Sequence, residues 1–438
     1  MQNRLQMKVE RSGGKTEYLV VVQAPCYRID ENSFATESAF AEHLRALQKK
    51  LAPEFERIWI AAPQYSAEFY ERNRNHLGHI DASRDRIVYV PLNRHDTKAS
   101  DFWTNEAPTV WKALRAQTAR ACVVHGGLAS DLSRPVLLLA NLAAKLDGCK
   151  TVFMVDIDFR KDAWRSWKTG QWSFKSYLMC TLVYDPIRLA QIWVAVRTSS
   201  LVLLKSASMV RDFGRGRPNV RNFWDTAHSS VQIIDGSALE TRLERLKDVA
   251  RPISLIYFGR FVAYKGLDLM IRAVWQARLA SGQPFVLDLV GAGDELERLR
   301  ACVDELGAGA AVRFNPPLPY GPELFSKVRQ ADLMLATPRT EDTPRSAFDA
   351  MASGLPILAF DIDYYLSLAR ESKAVETTPW PDAGAFADAI VRLDSERDRL
   401  AQMSRDAVHF ARANTQNVWL DRRVDWTLSL LAPSEKRP

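Results

Sequence analysis

Arg260 and Lys265 stand five residues apart just beyond the apolar run ISLIYF, within the stretch YFGRFVAYKG that ends at Gly266. Two cations at a strand end, with Gly259 permitting a tight turn and Lys265-Gly266 opening a helix, suit a diphosphate. Taken alone, the pair also fits two ordinary surface charges. Further on, LVGAGD (289–294) carries a strand into a Gly-x-Gly turn at Gly291, a pattern that αβ proteins use largely for steric reasons. The acids come in TEDTPRSAFDAMASG (340–354), where Glu341 follows the apolar run ADLMLA and Asp349 lies eight residues on. Asp342, Thr343 and Ser346 are placed to cap a helix whose first turn is near Pro344 and Arg345. The amides of that helix are expected to face a phosphate, with Glu341 and Asp349 accepting from sugar or ribose hydroxyls.

These residues need strands to carry them. Apolar runs ISLIYFG, FVLDLVG, AVRFN, ADLMLA and LPILAF alternate with helical patterns, which predicts a doubly wound parallel sheet. The first half has the same rhythm: EYLVVVQAP, a helix around Ser38 to Leu51, RIWIAAP, RIVYVPL, ARACVVHGG, a helix from Arg134 to Leu146, and KTVFMVD. At 438 residues, two domains are expected. The polar stretch from Asp235 to Arg251 reads as their connection. The expected division is residues 1–240 for an acceptor-binding domain, 241–414 for a donor-binding domain, and 415–438 for a helix returning to the first domain. Strand carboxyl ends from both halves then face one cleft.

In the first half, His125 ends the strand ARACVVHGG and points toward that cleft by topology, although a lone histidine there is as often packed or solvated. Asp156 and Asp158 form a D-x-D of the kind that holds a divalent cation against phosphates. Because Arg260 and Lys265 already bring positive charge to a diphosphate, no metal is expected. The run WRSWKTGQWSFKSY (164–177) fits an interfacial membrane patch, acceptor-stacking aromatics or simple packing equally well.

Composition narrows the classes. Hydrophobic and charged fractions of 47% and 25% are those of a globular chain, and exclude disordered, collagenous and coiled-coil classes. The five cysteines are odd in number and lack a C-x-x-C pair, which argues for reduced thiols, a cytoplasmic setting and no zinc site. The N-terminus shows no apolar signal region and no run is long enough to span a bilayer, so the expected location is the cytoplasm, at most at the inner membrane face. The net charge of +7 is concentrated between Arg160 and Arg221, where twelve basic residues face three acidic ones. That asymmetry suits an anionic membrane as a peripheral partner, or else a solvated basic face. No helix-turn-helix, zinc or RNP pattern accompanies it, so nucleic acid is not expected as a partner.

The order GRF-x3-KG, VGAG, VRF and ED-x6-DAMASGLPI, from Ile253 to Phe360, resembles family 4 of the retaining glycosyltransferases. The resemblance implies the GT-B fold, two Rossmann-like domains around a central cleft, and a nucleotide-sugar donor as co-substrate with no further cofactor. It implies that Arg260 and Lys265 hold the donor diphosphate, that Glu341 meets the donor sugar, and that Asp349 meets the ribose. Gly259, Gly291, Leu318, Asp342, Thr343, Arg345 and Ser346 fall in the same donor site, and Asp156 stands where the family often has a histidine near the sugar. The chain departs from the family in having Asp349 where a glutamate is usual, and Asp342-Thr343-Pro344 in place of Gly-Phe-Gly. It also has APCYRIDENSFATES where a Gly-Gly loop usually follows the first strand. The implied activity is hexosyl transfer, with retention, to a glycan or lipid-linked acceptor, as in bacterial polysaccharide or glycolipid synthesis. A nucleotide-sugar epimerase and a non-catalytic donor-binding relative remain as alternatives.

Overall fold

The computed structural model describes residues 16–74 and 77–432. Two sheets organise the chain. The first contains β1 (Glu17–Val21), β2 (Cys26–Arg28), β3 (Ser33–Glu37), β4 (Ile58–Gln64), β5 (Leu77–Asp81), β6 (Ile87–Arg94), β7 (Ala121–Gly127), β8 (Lys150–Val155), β9 (Leu201–Leu204) and β10 (Val220–Asn222). Its order is β10-β9-β8-β7-β1-β4-β2-β3-β5, with β6 also paired to β4. The second contains β11 (Ser254–Phe258), β12 (Val286–Val290), β13 (Val312–Asn315), β14 (Leu333–Ala336), β15 (Ile357–Phe360) and β16 (Val375–Thr378), in the order β13-β12-β11-β14-β15-β16. Every pair in it is parallel. Counted from β11 this is 3-2-1-4-5-6, and its crevice opens where the order reverses, between β11 and β14.

The helices that matter to the site are α1 (Ser38–Leu51), α2 (Val136–Leu146), α3 (Asp162–Lys168), α4 (Phe174–Met179), α5 (Asp185–Thr198) and α6 (Gly236–Leu246). In the second half they are α7 (Leu267–Ser281), α8 (Leu296–Leu306), α9 (Ser346–Ala352), α10 (Asp363–Ser372), α11 (Arg397–Ala413) and α12 (Gln416–Ser429). The strands β11, β14 and β15 are buried along most of their length, as parallel strands covered on both faces must be.

The polar stretch from Asp235 to Arg251 is largely a helix, and residues 240 and 241 lie inside α6. Arg242 explains why: its buried guanidinium donates to the carbonyls of Ala331 at 2.7 Å and Asp332 at 3.0 Å, which docks α6 on the second sheet. The first sheet is also not wholly parallel, because β2, β3 and β5 add antiparallel pairs. β2 and β3 form from APCYRIDENSFATES, the segment after the first strand, and β5 joins them from Leu77–Asp81. They are short and half polar, so their periodicity is hidden.

The domains meet through side chains as well as through the connecting chain. Trp224, just after β10, sets its ring edge-on to Phe348 and Tyr364 of the second domain, each 5.6 Å away. His228 donates from Nε2 to the Ala411 carbonyl at 2.9 Å, which fixes the Nε2-protonated tautomer because a carbonyl only accepts. Helix α12 then packs on α1, where Lys50 pairs with Asp421 and Trp419, Leu420 and Val424 join the same apolar core as Tyr18 and Leu44.

Candidate functional site

A cleft of about 890 Å³ lies between the two sheets. Its first wall is made by the chain leaving β1 (Val22 to Ala24), β7 (His125 to Leu128) and β8 (Asp156, Ile157), together with His43 of α1. Its second wall contains Tyr264, Thr340, Glu341, Asp342 and Arg345. Both walls therefore use strand carboxyl ends, on the first sheet around β1 and on the second around β11 and β14.

The β11 loop is fixed by close backbone contact. Gly266 has φ of 64°, and a Cβ there would sit 2.1 Å from the Thr337 carbonyl oxygen on the neighbouring loop. A Cβ on Gly291 would lie 2.0 Å from the Gly259 oxygen, so both residues of this part of the expected donor site act in packing two loops backbone to backbone. Arg260 is exposed, and its Nη2 donates to the Tyr264 hydroxyl at 3.2 Å. Lys265 is mostly covered, and its ammonium bonds Asp342 at 2.5 Å across the β11–β14 crevice. The two cations are thus at one strand end, but only Arg260 lacks a carboxylate among the described residues.

Glu341 is almost fully buried and spans the domains. Arg165 of α3 donates to its Oε2 at 2.6 Å, and the Tyr364 amide at the start of α10 donates to Oε1 at 2.7 Å. The Glu341 amide in turn donates to Asp162 Oδ1 at 2.8 Å. Burial pushes the Glu341 carboxyl up to about 8, against the pull of Arg165, and pushes Asp162 up to about 6, against the Glu341 amide. Each carboxylate oxygen keeps a second lone pair, so Glu341 can still accept from a hydroxyl in the cleft. Arg165 also lies over the Trp380 ring, 5.6 Å from its centre, beside Trp164 at 5.3 Å from the same ring.

Other expected residues take different places. Asp342 and Thr343 do not cap α9: no side chain caps that helix, Asp342 faces Lys265, and the Thr343 hydroxyl donates to the Asp156 carbonyl at 3.4 Å. The expected capping by Ser346 fails for the same reason, since Ser346 is already the first residue of the helix. Arg345 donates to Asp225 Oδ2 from Nε at 2.9 Å and Nη2 at 2.7 Å, bridging the domains. Asp349 is buried in α9, accepts from the Tyr320 hydroxyl at 3.1 Å, and is pushed up to about 7 by burial. Leu318 packs on the apolar core.

In the first wall, His125 accepts or donates at Nδ1 with the Tyr18 hydroxyl, 3.3 Å away, and burial pushes it down to about 3, so it is uncharged at neutral pH. Asp156 lines the cleft 3.5 Å from Lys205. Asp158 does not join it: its carboxylate is taken by Arg160 at 2.5 Å and by the hydroxyls of Ser206 and Ser208. The D-x-D thus has one carboxylate at the cleft, paired with Lys205, and one turned away to Arg160. Among the described residues, no group of three or more His, Cys, Asp or Glu could hold a metal.

The residues that sequence reasoning missed are Arg165, Asp162, Asp225 and Arg423. None has a local motif. Arg165 and Asp162 sit in the aromatic, basic run, and their role appears only when α3 meets the β14 loop from more than 170 positions away in the chain.

Residues 242–409 match the family of glycosyl transferases group 1. The D-inositol 3-phosphate glycosyltransferase of Nocardia farcinica is 32% identical over 162 residues, which cover 35% of this chain and 36% of the relative. The enzyme of the same name from Corynebacterium urealyticum is 33% identical over 206 residues, 45% of each chain. Each match thus spans less than half of the relative's length. Among solved structures, Anabaena HepE in complex with UDP and glucose is similar over 94% of this chain and 99% of its own, with a TM-score of 0.61 at 15% identity. Sucrose-phosphate synthase from Thermosynechococcus elongatus is similar over 96% and 100%, with a TM-score of 0.66 at 15% identity. The match to the glycosyl transferases group 1 family thus lies within residues 242–409, less than half of the chain, and the likeness to the solved structures shows the two-domain GT-B fold.

Proposed function

We propose that this chain transfers a sugar from a nucleoside diphosphate sugar to an acceptor held against the first domain. The observation that carries the reading is the buried Glu341 at the cleft, one loop away from the Arg260 and Lys265 strand end. A diphosphate at that end receives positive charge from Arg260 and, by sharing with Asp342, from Lys265, which stabilises the departing group without calling for a metal. Glu341 then orients the sugar through its free lone pairs. In a front-face transfer with retention, the acceptor oxygen bonds the anomeric carbon as the bond to the diphosphate oxygen breaks. The acceptor proton passes to that diphosphate. UDP in the bound state of the Anabaena HepE structure supports a uridine donor.

The acceptor belongs to the first wall, and a lipid-linked or glycan acceptor suits the surface beside it. Helix α4 and the π-helical segment Cys180–Tyr184 that continues it leave Phe174, Leu178, Leu182 and Val183 exposed, next to Lys168 and Lys175. An apolar face rimmed by lysines fits the headgroup region of an anionic membrane. Among the described residues no helix is long and apolar enough to cross one. Flotation with phosphatidylglycerol vesicles, expected for the natural chain and lost in Leu182→Asp, tests this contact; equal flotation of both removes it. The donor reading is tested by thermal shift against UDP-, GDP- and ADP-sugars with EDTA present. Stabilisation by one of them supports it, and stabilisation by none, or only after a divalent metal is restored, overturns it.

A further inference from the structure

Three arginines line the cleft, and two have acids of their own. Arg188 pairs with Asp185 at 3.3 Å, and Arg345 with Asp225 at 2.7 Å. The third, Arg423, extends from α12 and stands 5.5 Å from the centre of the Phe223 ring, half-buried. Among the described residues no carboxylate lies within ion-pair distance of it. Asp225 is near enough to feel its charge but is already shared between Arg345 and Lys205, the latter at 3.4 Å. Asp156, 58% exposed at the rim, pairs with Lys205 instead.

Apart from Asp225, Arg345 and Lys205, which pair among themselves, the groups around Arg423 are uncharged. Burial, with the charge of Arg423 adding to it, pushes His43 down to about 4 and His125 to about 3. His125 Nε2 is buried with no hydrogen-bond partner among the described residues. A half-covered guanidinium beside neutral imidazoles and a phenyl ring has lost part of its water and gained no anion, which costs free energy until an anion arrives. At the β11 strand end, outside the residues that line the cleft, Arg260 also lacks a carboxylate among the described residues. A donor diphosphate held there is matched by Arg260 and leaves Arg423 without an anion.

We infer that the cleft binds a second anion, a phosphoryl or carboxylate group of the acceptor, on Arg423. Calling the bound molecule an acceptor rests on the glycosyl-transfer reading; the anion site itself does not. Helix α12 is thereby given a task in specificity: it carries a cation from the end of the chain back into the first wall.

Titration calorimetry with UDP held at saturation tests this, using inorganic phosphate, glucose 6-phosphate, glucuronate and glucose as probes. At least tenfold tighter binding of a charged probe than of glucose is expected, with phosphate and glucuronate showing which anion is preferred. Arg423→Ala is expected to reduce the charged probes to the level of glucose, Arg423→Lys to keep part of the preference, and Lys265→Ala to keep most of it. Should Arg423→Ala fail to fold, Arg423→Gln gives the same comparison. Charged probes no tighter than glucose, or a preference lost in Lys265→Ala and kept in Arg423→Ala, overturn the inference. If UDP fails to bind while phosphate binding still depends on Arg423, the donor reading falls and the anion site stands.

Discussion

Replacing Arg165 by alanine removes one partner from an ion pair whose side chains are 5% and 2% exposed, and which joins the two domains. Breaking a buried pair in this way typically costs about 3–5 kcal/mol, because the remaining charge is left without a counterion. Two features of the site place the value at the lower end. Glu341 keeps the Tyr364 amide, and its carboxyl, already raised to about 8, escapes the penalty by taking a proton. The cost should therefore be about 3 kcal/mol near pH 9 and fall toward the roughly 1.5 kcal/mol of a lost charged hydrogen bond near pH 6. If the second domain unfolds as a unit of about 180 residues, 3 kcal/mol corresponds to about 8 °C in Tm. Calorimetric scans of the natural chain, Arg165→Ala, Glu341→Gln and the double variant, at both pH values, measure it as a cycle. The double variant is expected to recover at least about 1.5 kcal/mol relative to the sum of the single changes. Additive single effects, or a loss that does not grow with pH, would refute the reasoning.

Three more outcomes follow from the same geometry. Lys265→Ala should weaken UDP binding by about 1.5–3 kcal/mol in calorimetry if the ammonium turns from Asp342 to the diphosphate, and unchanged affinity would remove it from the site. Glu341 and Asp349 both have carboxyls raised by burial, to about 8 and about 7, so donor binding should strengthen as pH rises from 6 to 9 and both groups ionise. The folded state then holds more protons than the unfolded one in the window above 4.5, so stability should fall over the same range. Glu341→Gln should flatten both trends, and a natural chain with no pH trend would contradict them. Gly266→Ala forces a Cβ against the Thr337 carbonyl and should lower Tm by several degrees or prevent folding. Gly148→Ala, at a similar φ of 65° with open space around it, should cost only about 1 kcal/mol, and equal effects would show that φ alone matters at both sites.

Much of the second domain is legible from the chain because its strands are short apolar runs between helical patterns, and Gly259, Arg260 and Lys265 mark one strand end by type and spacing. The first domain is less so. Its antiparallel strands β3 and β5 are half polar, and their pairing is long-range. The site divides the same way. Glu341 is identifiable by its place after β14, whereas its partner Arg165 lies in a run whose tryptophans and lysines suggest several uses. Local pattern locates a side chain on a loop; it does not say that Asp342 will face Lys265 instead of capping α9, since that depends on which cation the neighbouring loop brings within reach.

The most direct test of the donor site and its chemistry is proton NMR of UDP-α-glucose hydrolysis by the chain in EDTA, following the anomeric signals before mutarotation. A metal-free retaining transferase releases UDP and α-glucose first, and Arg260→Ala and Glu341→Gln both slow that release. First appearance of β-glucose would contradict retention, and release that requires a divalent metal or ignores both substitutions would contradict the site.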